Sequence, residues 1–206
     1  MAGRLEKEVV DLVGQILGGR IDPTPSWLVR PGRAECGRHW PLICLIYQEL
    51  TGLELPETMR PIERRKVDAV LVADNGPPRI LEFDEKQHFN LYRAETLRFY
   101  ADEIPLAFDH TAWIECSRAK RRLEGGGFAA PKPPLFPGEG GRHRQRAFRD
   151  ALCDILPVEH GFAPTLRIAD FEVKDWIGTP AARSKMEELL QVRVARGAGF
   201  KLRHSP

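Results

Sequence analysis

Apolar side chains near the start of the chain recur at the spacing of an α-helix. The repeating set begins at Leu5 and ends at Leu17, where Gly18 and Gly19 stop the pattern. The next segment, 21–32, contains three prolines and predicts a loop. A second helix is predicted from about 35 to 50, and its many apolar side chains indicate that it is largely buried.

Short runs rich in β-branched residues follow and predict a hairpin. The first strand covers Val67–Val72, the turn covers Asp74–Pro78, and the second strand covers Arg79–Glu85. Asn90 is then placed to cap a helix over about 91–101. A further short strand is predicted around 111–115.

The remainder of the chain contains a break and then three more elements. Glycine and proline are concentrated between Arg118 and Gly141, which predicts a mobile insertion. A helix over about 146–156, a strand over 165–173 and a helix over about 179–196 complete the order. Strands flanked by helices predict an α/β (α+β) sandwich.

The whole chain is expected to form one domain over residues 1–206. We divide it into an N-terminal helical part at about 1–60, a core at about 61–116 and 146–196, and the flexible insertion at about 118–141. The insertion is not a domain boundary, because neither side of it has a complete set of elements.

Composition indicates a soluble protein of the cytoplasm. Of the 206 residues, 42% are hydrophobic and 29% are charged, which is typical of globular domains. No run approaches the roughly 18 apolar residues of a membrane helix, and we find no secretory signal. The four cysteines are scattered, which favours reduced thiols in the cytoplasm. Because no apolar run is long enough for a membrane helix, no membrane partner is expected.

Charge is concentrated although the formal net charge is only +2. Between Ser117 and Arg146 there are eight basic and two acidic side chains. A patch of this kind attracts polyanions, so nucleic acid is the expected partner. A solvated loop that happens to be basic remains the alternative.

The candidate chemistry lies on the second strand of the hairpin. Glu82, Asp84, Lys86 and His88 occupy alternate positions and would share one face of a strand that continued that far. The tight turn would bring Asp68 of the first strand close to them. Carboxylates of this kind suit Mg²⁺, with the lysine or histidine available for phosphate contact or proton transfer.

Each of these residues also has a structural interpretation. Asp68 could be an acid at the start of a strand. Glu82 and Asp84 could form a charged sheet face paired with Arg79 or Lys66. An isolated histidine such as His88 is more often packed or on the surface.

An acid on one strand, followed by Glu82-x-Asp84-x-x-Gln87-His88 on the next and then a helix, resembles the PD-(D/E)XK nuclease superfamily. The closest likeness is to its very-short-patch-repair-like branch. The helix, glycine turn and strand over 149–173 are similar to the closing elements of that branch. The resemblance covers 66–100 and 146–173, under half the chain.

The resemblance implies a restriction-endonuclease-like mixed sheet and a Mg²⁺- or Mn²⁺-dependent endonuclease acting on DNA. It implies that Asp68 and Glu82 hold the metal. The superfamily pattern has lysine where this chain has Asp84, so either Asp84 fills that slot as a third ligand or the working element shifts to Asp84-x-Lys86. We favour Glu82 with Asp84, leaving Lys86 and His88 as catalytic candidates. Val67 also replaces the usual proline.

Further residues are candidates for nucleic-acid contact. Gln87 belongs to the motif itself, and Arg93 and Arg98 of the following helix could clamp a phosphate. The basic segment adds Arg118, Lys120, Arg121, Arg122, Arg142 and Arg144. Glu35 and Glu49 are weaker metal candidates, because some members of the superfamily add an acid from an early helix.

The lysine missing from its usual position also supports a different class of function. The competing hypothesis is a catalytically inactive relative that binds nucleic acid or another protein. Sequence patterns do not choose between DNA and RNA, and a homodimer is compatible with either hypothesis.

Overall fold

Four short strands form one mixed sheet in the computed structural model, which describes residues 2–18, 20–61, 65–72, 76–119, 123, 125, 127 and 129–198. In sheet order they are β1 (Arg20–Asp22), β2 (Ala69–Val72), β3 (Arg79–Asp84) and β4 (Ala163–Ala169). Strand β2 is antiparallel to both β1 and β3, and β4 runs parallel to β3. The predicted α/β class is therefore confirmed.

The predicted hairpin is present as β2 and β3, with Val70 opposite Ile80. Side chains alternate between the two faces of a strand, and both faces of β3 are covered by helices. Leu81 and Phe83 enter one apolar cluster, whereas Ile80 enters the other. Glu82 and Asp84 therefore lie on the same side of the sheet as Ile80.

Two helices cover the face that receives Leu81 and Phe83. These are α1 (Ala2–Leu17) and α9 (Ala182–Ala198), which contribute Val9, Val13, Met186 and Leu190 to that cluster. The predicted first and last helices are thus present, with small shifts in their bounds. The sheet is the middle layer between this helical pair and a larger set of helices.

The larger set packs on the face of Glu82 and Asp84. Its members are α4 (Trp40–Thr51), α5 (Leu91–Leu97), α6 (His110–Ala119) and α7 (Gly141–Ile155). Three single-turn helices connect the layers: α2 (Ser26–Val29), α3 (Arg33–Cys36) and α8 (Asp170–Val173). Asn90 caps α5 as predicted, because its side chain accepts a hydrogen bond from the Arg93 N–H at 3.1 Å.

Several predicted elements differ from those observed. The segment predicted as a loop at 21–32 contains part of β1 and all of α2. The strand predicted at 111–115 is helical: Asp109 caps the N–H of Ala112, and Trp113 is the residue of this segment that is fully buried, with Ala112 and Ile114 partly buried beside it. The strand predicted at 165–173 ends at Ala169, where Glu172 bonds the Ala169 N–H and starts α8.

The predicted mobile insertion is anchored where the structure describes it most fully. Leu135 and Phe136 are buried in the core, and the Tyr47 hydroxyl donates a hydrogen bond to the Leu135 carbonyl at 2.6 Å. A Cβ on Gly141 would lie 2.2 Å from the Phe136 carbonyl oxygen, so only glycine fits there. This packing starts α7 at Gly141, five residues before the predicted start.

Candidate functional site

Two acids from neighbouring strands face one polar cavity of about 200 Å³. Asp68 immediately precedes β2, and its Oδ2 accepts the Phe83 N–H at 2.7 Å. Glu82 follows on β3, is only 4% exposed, and accepts a hydrogen bond from Arg65 Nη2 at 3.0 Å through Oε1. The hairpin thus brings together the two acids that the sequence predicts as partners.

The opposite wall of the cavity is a polar stripe of α7, which we call the arginine stripe. Arg142, Gln145, Arg146, Arg149 and Asp150 line the cavity. Their spacing of three and four residues places them on one side of a helix. The other side of α7 carries buried apolar residues into the core. Guanidinium groups of the helix therefore face carboxylates of the sheet across the cavity.

His88 reaches the cavity from a turn rather than from a strand. Strand β3 ends at Asp84, and the His88 N–H bonds the Glu85 carbonyl at 2.8 Å. The His88 Nδ1 lies 3.1 Å from Asp150 Oδ2 and 3.4 Å from Asp84 Oδ1. The predicted face of four alternating residues is therefore absent, although its histidine still reaches the site.

Electrostatics favour a charged pair at His88 and Asp150. Burial alone lowers the pKa of His88, but the Asp150 and Asp84 carboxylates outweigh that effect and raise it above its usual value. Burial acts to raise the pKa of Asp150, yet His88 and Arg167 hold that pKa well below its usual value. His88 can therefore take up and release a proton beside the cavity while Asp150 stays ionised.

The two acids of the hairpin carry negative charge that the protein only partly compensates. Burial raises the pKa of Glu82 to about 7, against the opposing effect of Arg65. Partial burial raises the pKa of Asp68 to about 6, against the opposing effect of the hydrogen bond from the Phe83 N–H. A cation placed between them would favour the ionised form of both.

Glu6 of α1, which sequence patterns did not single out, does not line the cavity but interacts electrostatically with its acids. Burial together with Glu85 and Glu82 raises the pKa of Glu6, and Glu6 in turn raises that of Asp68. The early-helix acids that we expected are placed elsewhere: Glu35 bonds the Gly32 N–H at 2.8 Å, and Glu49 is exposed on α4.

Asp84 does not join Asp68 and Glu82. Its side chain is fully buried and is absent from the cavity lining. Oδ2 accepts the Trp113 Nε1–H at 2.7 Å, and Oδ1 accepts from Arg167 Nη1 at 2.6 Å. Of the three carboxylates that the sequence predicts as metal ligands, Asp68 and Glu82 line the cavity and Asp84 does not.

A buried ionic network lies behind the cavity. Arg167 of β4 is fully buried and bonds Asp84, Asp150 and Asp154. Arg93, predicted to clamp a phosphate, is also buried: it donates to Asp154 at 2.6 Å and to the Tyr100 hydroxyl at 3.0 Å. Its position in the core excludes a direct phosphate contact in this structure.

Lys86, Gln87 and Arg98, three further residues predicted to take part in the site, do not reach the cavity. Lys86 is exposed in the turn after β3, and the Gln87 side-chain amide bonds Glu85. Arg98 is exposed and pairs with Glu95. None of the three lines the cavity.

The predicted basic segment is divided by the fold. Arg142 lines the cavity, whereas Arg144 donates to the Pro137 carbonyl at 2.7 Å and lies over the Tyr92 ring. Arg118 is exposed near the end of α6. Lys120, Arg121 and Arg122 lie outside the described residues.

Sequence reasoning missed Arg65, Arg149 and Asp150 as site residues. Starting α7 at Gly141 would have revealed the helical spacing of its arginines and of Asp150. Arg65 lies in a segment without periodicity, so no sequence pattern indicated that it reaches Glu82.

Comparison with protein-family models, with curated proteins and with solved structures gives no match. Among the described helices, none combines the length and apolar character needed to cross a membrane. The fold and site define a mixed α/β protein with an acidic and basic cavity at one side of its sheet.

Proposed function

We propose that this protein is a metal-dependent nuclease that hydrolyses phosphodiester bonds, with DNA as its substrate. The observation that carries the proposal is the single cavity in which Asp68 and Glu82 face the arginine stripe of α7. Carboxylates can bind a divalent cation, and guanidinium groups bind phosphate oxygens. One cavity thus contains both of the groups that phosphodiester hydrolysis requires.

The acids fit a divalent ion of the Mg²⁺ type. Within the described residues, Asp68 is hydrogen-bonded through Oδ2 and Glu82 through Oε1, which leaves the second oxygen of each for a cation. No set of three or more potential ligands in the described part of the chain is arranged to hold a metal. Mg²⁺ commonly takes one or two carboxylates and completes its shell with water and substrate phosphate. Glu6 would add negative charge from α1.

The other residues of the cavity would act on the substrate directly. Arg142, Arg146 and Arg149 would bind the phosphate oxygens on either side of the bond that is cleaved. His88, held by Asp150, would donate or accept a proton at the reacting oxygens. The bound ion would supply charge neutralisation at the phosphate and a lower pKa for water.

The resemblance to PD-(D/E)XK nucleases supports the proposal and suggests DNA. Asp68 and Glu82 occupy the two positions at which that superfamily holds its metal. Asp84 departs from the pattern, and neither it nor Lys86 lines the cavity. In the proposed mechanism the positive charge comes instead from Arg65 and from the arginines of α7.

The second candidate is a nucleic-acid-binding or protein-interaction module without catalysis. Its support is the ion pair between Glu82 and Arg65, at 3.0 Å and with both side chains buried. An acid that already pairs with an arginine has less need of a metal. This candidate keeps the arginine stripe as a binding surface and assigns no role to divalent ions.

Cleavage assays with matched substitutions separate the two candidates. The purified protein is incubated with single-stranded and duplex DNA and with RNA, in Mg²⁺ or Mn²⁺. Glu82→Gln should abolish cleavage while leaving DNA binding within about twofold, because the arginines remain. Glu54→Gln, at an exposed site after α4, is the matched control. A wild-type protein that binds DNA but neither cuts it nor binds Mn²⁺ would support the binding module.

A further inference from the structure

A second groove, of about 440 Å³, adjoins the cavity. The residues that line it are Pro23, Thr24, Val29, Arg30, Arg65, Lys66, Val67 and Asp68. Arg65, Lys66 and Asp68 also line the cavity. The two spaces therefore adjoin along these three residues.

Hydrogen bonds from two backbone N–H groups connect the walls of this groove. The Val67 N–H donates to Thr24 Oγ1 at 3.0 Å, and the Arg65 N–H donates to the Val29 carbonyl at 2.9 Å. These bonds tie the segment before β2 to α2 and the residues preceding it. The groove is thus formed before any ligand arrives, which lowers the entropic cost of binding.

The chemistry of the groove fits a ligand with an apolar body and an anionic attachment. Pro23, Val29 and Val67 offer apolar surface, and Arg30 and Lys66 add positive charge. A nucleotide has this combination, since its base is a flat ring and its phosphate is an anion. The volume lies in the range of small-ligand sites. Arginine side chains also stack on unpaired bases.

The geometry points to a subsite for one unpaired nucleotide beside the phosphodiester that the cavity holds. This inference rests on the proposed function, and it deepens it by assigning a substrate with at least one unpaired base next to the cleaved bond. A base inside a duplex is stacked and paired, so it cannot enter a groove of this kind without leaving the helix. Single-stranded or frayed nucleic acid is therefore preferred.

Binding is measured by fluorescence anisotropy in metal-free buffer, so that no strand is cut. Three probes of about 12 nucleotides are compared: a single strand, its blunt duplex, and an abasic strand that keeps every phosphate. The wild-type protein should bind the single strand about tenfold more tightly than either of the other two. Equal affinity for the single and abasic strands would overturn the inference.

Two substitutions test the groove itself. Val29→Asp places a carboxylate in it and should remove most of the preference for the single strand, whereas Val192→Asp on α9, at a side chain 53% exposed, should not. Arg30→Glu changes an exposed side chain and guards against misfolding of the first variant; Arg183→Glu is its control. If Val29→Asp and Arg30→Glu both kept the wild-type preference for the single strand, the result would contradict the subsite.

Cleavage with Mn²⁺ is measured separately on the same single strand and duplex. Base-dependent binding without any cleavage would support the subsite and overturn the nuclease proposal. Cleavage of both substrates at equal rates, without base-dependent binding, would support the nuclease and overturn the subsite.

Discussion

The His88 Nδ1 lies 3.1 Å from Asp150 Oδ2, which joins the turn after β3 to the cavity side of α7. Asp150→Asn removes the charge that does most to raise the pKa of His88, so that pKa should fall. If His88 transfers a proton, cleavage should slow by about 10²-fold and its pH profile should move. NMR titration of the histidines measures the pKa independently of activity.

The matching control for this pair is Asp109→Asn, which alters a carboxylate that caps α6 and pairs with Arg196. It should leave the pH profile unchanged. An unaltered His88 titration in Asp150→Asn would contradict the electrostatic coupling.

Arg167 should be among the most important residues for stability. Arg167→Met leaves Asp84, Asp150 and Asp154 without their shared cation in the core, which should cost about 3–5 kcal/mol of unfolding free energy. Chemical denaturation measures the loss. Arg183→Met, at a side chain 59% exposed, should change stability by less than about 1 kcal/mol.

Arg142 and Arg144 lie two residues apart on α7 and give opposite expectations. Arg142→Ala should weaken DNA binding several-fold, because Arg142 lines the cavity. The slope of log affinity against log salt concentration should fall in magnitude by about one. Arg144→Ala should do neither, because Arg144 is turned to the Pro137 carbonyl. Affinity is measured across a series of salt concentrations. Equal effects of the two substitutions would mean that the cavity is not the binding surface.

The free energy of unfolding of the metal-free protein should decline as pH rises from about 5 to 7.5. The folded-state pKa of Glu82, about 7, lies above the ordinary value of 4.5, so the folded protein binds more protons in this interval. The stability from protonated Glu82 is complete below pH 4.5 and is lost through pH 7, up to on the order of 3 kcal/mol. The raised pKa of His88 acts in the same direction at the upper end.

Thermal melting across this pH range tests the sign. Glu82→Gln should flatten the decline, whereas Glu54→Gln should not. Mn²⁺ should stabilise the wild-type protein most at the upper end of the range, where its carboxylate ligands are ionised. Rising stability over the same interval would contradict the assignment of Glu82.

Local patterns predicted the hairpin, because β-branched runs and a turn lie close together in sequence. They also predicted the pairing of Asp68 with Glu82. They could not predict the position of Asp84, because its partner Arg167 lies 83 residues further along the chain. Alternation along a strand places a side chain on a face, but only tertiary contacts decide whether it meets solvent or a buried cation.

Sequence patterns did not predict the arginine stripe of α7 for a related reason. Glycine and proline before α7 indicated an irregular segment, and the start of the helix depends on how Phe136 and Gly141 pack together. That contact involves the core around Tyr47 and Phe148, which no local pattern reveals. The thirteen residues from Arg142 to Asp154 had to be assigned to one helix before their shared face could be recognised.

The buried ionic network behind the cavity affects the electrostatics of the site. Asp84, Asp150 and Asp154 are matched there by Arg93, Arg167 and protonated His88. Equal numbers of anions and cations make this network neutral as a whole. A ligand that changes the charge at Asp68 and Glu82 therefore acts beside a network whose own charges balance.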